Sequence, residues 1–335
     1  MMSRGSPTPG PVVDVQTHLF PPAYLDALAV VARGGGRAAE VARDTLAYPV
    51  IGDDPLFTGA LQQRLELMDA AGVDTHVLSF PAPFVWSAGA EEARRVSTAF
   101  NDGCAEVARD HRDRFELVAT LPLPHVDESI AEAARALDEL GAVGVSLCTQ
   151  CDGTPIEDAR FDPLYAFLSE REVAVLLHPD GFSVPGVLAD YGMEWAIGAP
   201  FDDTIVALRL IYSGLLDRHP GIRWIVPHLG GTLPFLIERV DRVWQRDAEV
   251  QALLDGPPSG YLPRLWFDTV NPDARCLGLS AAVLGGGRLM YASDFPFASR
   301  RDLGFSLGLL DEAGLAGDER AAVAGGTAAA VLGLS

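Results

Sequence analysis

Three histidines and one aspartate in this chain stand directly after short apolar runs. They are His18 after Val12 to Thr17, His178 after Val173 to Leu177, His228 after Ile222 to Pro227, and Asp294 after Leu289 to Ser293. Imidazoles with a carboxylate suit zinc, manganese or iron, and three protein ligands leave coordination positions open for water and substrate. Any one of these histidines is equally well read as a satisfied polar residue at a strand end. All four at the same kind of boundary point instead to a shared metal-dependent site. The remaining histidines break the rule and read as structural: His76 inside a strand pattern, His111 and His219 at helix ends, His125 at a turn.

Such a site requires distant strand ends to meet. The first strand is expected over Val12 to Gln16, where period-two alternation would place Gln16 and His18 on one face. An irregular segment follows from Tyr24 to Thr58, with Gly34-Gly35-Gly36 and Asp53-Asp54-Pro55, and reads as an insertion or small lid. Ala60 to Ala71 is an amphipathic helix stopped by Gly72. Further strands are expected at 73–80, 115–121, 141–148, 173–178, 222–228, 264–269 and 289–292, most of them followed by a helical pattern. Val173 to Leu177 is a continuous apolar run, as in strands buried on both faces. About eight strand–helix repeats predict an α/β fold, the (β/α)8 TIM barrel, whose strand ends converge at one mouth. An open doubly wound sheet competes, but no G-x-G-x-x-G follows the first strand. Residues 1–11, rich in Gly, Ser and Pro, are expected to form a flexible tail before a single domain over 12–335.

The chain has 335 residues, 48% of them hydrophobic and 21% charged, enough to bury a large core. A formal net charge of −21 argues against nucleic acid or an anionic membrane as the partner, since both need a basic surface. Apolar runs stop short of a membrane span, and the start lacks an apolar signal core. Four cysteines at unrelated spacings make no disulfide framework, so a reducing cytoplasm is the expected location. Cys148-Thr149-Gln150-Cys151 has no second pair and reads as packing or pocket lining. Phe84, Trp86, Trp195 and Phe297 lie in loops at the expected mouth, where aromatic rings would suit a planar substrate.

Asp14-x-Gln16-x-His18, Leu177-His178-Pro179, Pro227-His228-Leu229-Gly230-Gly231-Thr232-Leu233-Pro234-Phe235 and Tyr291-Ala292-Ser293-Asp294-Phe295-Pro296-Phe297 resemble the amidohydrolase superfamily. The nearer resemblance is to its branch of aminocarboxymuconate-semialdehyde decarboxylase and related aromatic acid decarboxylases, in the same motif order from Val12 to about Arg300. The resemblance implies one divalent metal ion, zinc first and manganese second, held by His18, His178 and Asp294. It implies that His228 handles protons beside the metal, and that Asp294 both approaches the ion and accepts a hydrogen bond from its water. It also implies that Arg239 reaches the substrate carboxylate of a neighbouring subunit, hence a homodimer.

Two positions depart from that pattern. Family members usually carry His-x-His after the first strand, and some carry an acidic residue first; here Gln16 takes the place. A neutral amide is a weaker ligand than imidazole or carboxylate, which implies lower metal affinity or a harder preferred ion. The segment from Thr45 to Asp54 lacks the arginine by which the nearest members bind a substrate carboxylate. The expected activity is metal-dependent, non-oxidative decarboxylation of a small aromatic or unsaturated carboxylic acid. Hydrolysis of an ester, lactone or amide on the same site stays open, as does a catalytically silent protein that Gln16 leaves without metal.

Overall fold

The computed structural model describes residues 10–48, 51, 54–80, 88–179, 188, 190–297 and 303–334. Among these, parallel strands follow one another in chain order around one sheet. They are β1 (Val13–His18), β2 (Thr75–Ser79), β3 (Phe115–Thr120), β4 (Gly144–Cys148), β5 (Ala174–His178), β6 (Arg223–Val226), β7 (Trp266–Asp268) and β8 (Leu289–Met290). The ring closes between β1 and the segment after β8. Thr17 bridges Phe295 in parallel, the Val15 and His18 amides donate to the Tyr291 and Phe295 carbonyls at 3.0 and 2.7 Å, and the Asp294 amide donates to the Gln16 carbonyl at 3.1 Å. The architecture is the expected (β/α)8 barrel.

Alternate strand residues build two different cores. Val13, Val15, Val77, Val118, Ala174, Leu176, Ile225, Met290 and Ala292 form one apolar cluster, joined by Ala328, Val331 and Leu332 of the C-terminal helix. Their neighbours Leu78, Leu117, Val175, Leu177, Val226 and Phe267 belong to a larger cluster shared with the surrounding helices. Continuing the first set by period two along β5 reaches His178, and continuing it past β8 reaches Asp294. Alternation therefore delivers both residues to one end of the barrel.

β1 does not follow that rule. Its register against β2 runs from Asp14 opposite His76 to Thr17 opposite Leu78, which leaves one extra residue in β1. This is a β-bulge, and after it His18 pairs with Ser79, on the same side as Val13 and Val15. The expectation from strict alternation, which would set His18 opposite the valines, is corrected. Asp14 secures the irregularity: its carboxylate accepts the Ser293 amide at 3.0 Å and the Ser293 hydroxyl. It thus ties the bulge to the residue before Asp294, and burial pushes its carboxyl up to about 7.

A second correction concerns the segment from Tyr24 to Thr58, which is mostly helical rather than irregular. Helices Pro22–Ala32 and Gly36–Ala47 form there, with Gly34 and Gly35 as the break between them. Their alanine-rich sequences favour helix, and the first buries Tyr24, Ala27, Leu28 and Val31. Tyr24 packs edge-on against Phe100 of helix Ala90–Asp110, ring centroids 5.9 Å apart, which anchors the first of these helices. Helix Leu61–Ala71 ends as expected, at Gly72 with φ 75°. Among the described residues no helix is long and apolar enough to cross a membrane.

Candidate active site

At the C-terminal end of the strands, His18, His178 and Asp294 each offer a ligand atom, and these atoms all lie within 4.8 Å of one another. The two imidazole rings meet edge-on with centroids 5.2 Å apart. Each has its Nδ1 beside a backbone carbonyl, Ser79 at 3.2 Å for His18 and Pro179 at 2.8 Å for His178. An Nδ1–H donated to those carbonyls leaves the Nε2 lone pair facing the cluster, as a metal ligand requires. Burial and the neighbouring imidazoles of His18 and His228 push His178 down to about 3, so it is neutral at ordinary pH. His18 Nε2 lies 3.0 Å from Asp294 Oδ1, so two members of the cluster are in direct hydrogen-bonding contact.

Gln16 adds the unfilled demand. Its side chain is fully buried, and among the described residues neither its amide oxygen nor its amide nitrogen has a hydrogen-bond partner. A buried polar atom left unsatisfied costs roughly 1–3 kcal/mol. Two imidazoles, a carboxylate and a buried amide fit a divalent ion. When bound, such an ion supplies positive charge that binds and polarises an anionic oxygen.

His228 stands beside this cluster, its ring centroid 6.3 Å from that of His178. It begins the turn after β6 with φ 51°, a left-handed backbone that non-glycine residues rarely adopt. Two carboxylates hold it there: its backbone amide donates to Asp268 Oδ1 at 2.8 Å, and its Nδ1–H donates to Asp203 Oδ2 at 2.8 Å. Burial alone would lower its pKa, but the charges of Asp203, Asp268 and Asp294 and the Asp203 hydrogen bond outweigh it and hold the imidazole up to about 9. His228 is thus held in its protonated form and His178 in its neutral form.

The aromatic residues separate. Phe297 stacks edge-on to His18 at 5.6 Å and to Phe57 at 4.7 Å, so it walls the site. Trp195 lies in the turn Glu194–Gly198 and is 45% exposed. Phe84 and Trp86 lie outside the described residues. Arg239 sits on the exposed side of helix Leu233–Arg246, lining a surface groove with Leu208, Tyr212, Leu236, Val240 and Val243. Cys148 and Cys151 are buried with sulfurs 3.4 Å apart, and Cys148 pairs in register with His178.

Sequence reasoning missed Asp203, Asp268 and Phe57. Asp268 carried the signal used for the others, an ionisable residue ending an apolar strand. Asp203 and Phe57 lie on intervening segments, and nothing local marks them.

A parallel barrel with a His, His, Asp cluster at its strand ends defines a metal-site enzyme of the amidohydrolase type. The chain belongs to the amidohydrolase family, whose model matches residues 13–334. It is 25% identical over 236 residues to the 2-amino-3-carboxymuconate-6-semialdehyde decarboxylase of Dictyostelium discoideum, covering 70% of this chain and 66% of that relative. It is 32% identical over 258 residues to the gamma-resorcylate decarboxylase of Rhodococcus jostii, covering 70% and 76%. The crystal structure of 5-carboxyvanillate decarboxylase from Sphingomonas paucimobilis superposes with a TM-score of 0.87 at 25% identity, over 97% of this chain and 99% of that one. The fold is also that of a dihydroxybenzoic acid decarboxylase from Polaromonas sp. JS666, solved with manganese and 2-nitroresorcinol (TM-score 0.79, 20% identity, 97% and 98% covered).

Proposed function

We propose that this protein is a divalent-metal-dependent decarboxylase that removes carbon dioxide, without oxidation, from a small aromatic or unsaturated carboxylic acid. The observation that carries the reading is the placement of His228, an imidazole held by Asp203 and Asp268 among carboxylates that favour its protonated form, beside the His18, His178 and Asp294 cluster without being part of it. Hydrolysis by activated water calls for a base next to the metal, whereas decarboxylation calls for an acid that protonates carbon. The decarboxylase relatives support the same choice.

His18, His178 and Asp294 would hold the ion, with the Gln16 amide oxygen as a further ligand. Zinc and manganese both suit two nitrogen and two oxygen donors, and the amide oxygen makes the harder manganese ion the first to test. Phe297 and Phe57 offer apolar ring faces to a planar substrate, and Trp195 would cover its outer edge. His228 Nε2–H delivers its proton to the ring carbon that bears the carboxylate. The carbon–carbon bond then breaks, its electron pair returns to the unsaturated system, and carbon dioxide leaves. His228 recovers its proton from water.

Arg239 would serve the carboxylate of a neighbouring copy. Its groove adjoins the exposed Phe201, Ile205, Phe235 and Val243, an apolar surface suited to a homodimer. Protein loaded with manganese or zinc should release carbon dioxide from at least one member of a hydroxybenzoate panel. Cleavage of esters, lactones or amides with no carbon dioxide from any acid would overturn the proposal in favour of hydrolysis.

A further inference from the structure

We infer that Asp203 is a positioning residue for His228, holding its imidazole so that Nε2 alone is free to face the metal cluster. The inference rests on the decarboxylase reading, in which His228 moves the proton. Asp203 is fully buried on helix Ala199–Tyr212, and its Oδ2 accepts the His228 Nδ1–H at 2.8 Å. Its other oxygen has no hydrogen-bond partner among the described residues. A carboxylate that served only to stabilise its helix would lie near the surface or accept backbone amides; among the described residues this one's hydrogen bond goes to the imidazole.

The placement is fixed from both sides. Thr204 Oγ1 donates to the Pro200 carbonyl at 2.8 Å and accepts the Thr232 amide at 2.8 Å, which docks the helix start on the turn after His228. Gly231 lets the two backbones meet: a Cβ there would stand 1.8 Å from the Pro200 carbonyl oxygen, and its φ is 62°. Asp268 takes the His228 backbone amide at 2.8 Å, so one carboxylate sets the backbone and the other sets the ring. The other ionisable groups facing His228 are Asp294 and His178. Neither is its hydrogen-bond partner among the described residues, so neither replaces Asp203 in fixing the tautomer. The arrangement has the logic of a carboxylate that orients a catalytic histidine from behind.

The test compares wild type with Asp203→Asn, Asp203→Glu and His228→Ala, all loaded with manganese and assayed on 2,6-dihydroxybenzoate. Asp203→Asn should lower kcat by about 100-fold or more, leave KM within about threefold and keep the metal content, while Asp203→Glu recovers part of the loss. Proton NMR of 15N-histidine-labelled protein gives a readout independent of turnover. Wild type should show a downfield Nδ1–H resonance that disappears in His228→Ala and is lost or shifted upfield in Asp203→Asn. An Asp203→Asn enzyme with wild-type kcat, or a wild-type spectrum with no such resonance dependent on His228, would overturn the assignment. The second result decides the matter even if Asp203→Asn does not fold or 2,6-dihydroxybenzoate is not turned over. Unchanged kcat in His228→Ala would instead sink the underlying role of His228, which separates the two failures.

Discussion

At the scale of single residues, the site divides its histidines by environment. His178, buried with an imidazole on either side, is held neutral; His228, among three aspartates, is held protonated. His228→Ala should therefore lower kcat by about 10²–10⁴-fold while sparing metal content, the range expected for losing a general acid. Metal analysis beside steady-state kinetics checks this, and parallel loss of metal and activity would reassign His228 as a ligand. The sign of the pH effect follows from the raised value. The donor form is filled below about 9 and is lost as pH rises through it, so kcat should fall on that alkaline limb. Stability follows the same direction. The ion pair with Asp203 contributes fully below about 6.5, where the unfolded imidazole is also charged, and its contribution fades between there and about 9.

At the scale of elements, the bulge in β1 is the feature that shapes this site. It turns His18 to the side of Val13 and Val15, and it places Gln16 in the irregular stretch clamped by Asp14. Gln16→His should raise manganese or zinc affinity by about tenfold, since imidazole is the stronger ligand, with a titration of apo-protein as the measurement. Unchanged affinity in both Gln16→His and Gln16→Ala would show that residue 16 does not touch the ion. The elements themselves were legible because their apolar runs are short, separated by turn residues and ended by polar side chains. His178 and Asp294 follow directly from alternation along β5 and beyond β8. The bulge was not legible, since an extra residue in a strand leaves no mark in a run such as Val13 to Thr17. Helix Pro22–Ala32 was hidden by the glycine triplet that follows it. Asp203 was hidden by distance, because a partner 25 positions before His228 is found only when helix Ala199–Tyr212 docks on the turn.

At the scale of the whole molecule, the barrel gathers candidate ligands from β1, β5 and the segment after β8, and places His228 after β6 beside them. Each comes from a different strand, so the rigid sheet fixes their spacing while the loops shape the pocket. The outer face of helices Ala199–Tyr212 and Leu233–Arg246 carries Phe201, Ile205, Phe235 and Val243 exposed. If that face joins two copies, Phe235→Glu should convert a dimer to a monomer in sedimentation analysis; a wild-type monomer would contradict the homodimer and the role given to Arg239. The central claim is that a carbon–carbon bond is broken and that the carbon left behind is protonated. Its most direct measurement is turnover of carboxyl-13C-labelled hydroxybenzoates by manganese-loaded protein in deuterium oxide. The account predicts 13C-labelled carbon dioxide and a product with one deuterium at the vacated carbon, in equal amounts, for at least one acid in the panel. Release of no labelled carbon dioxide from any of them, by protein shown to carry its metal, would contradict it.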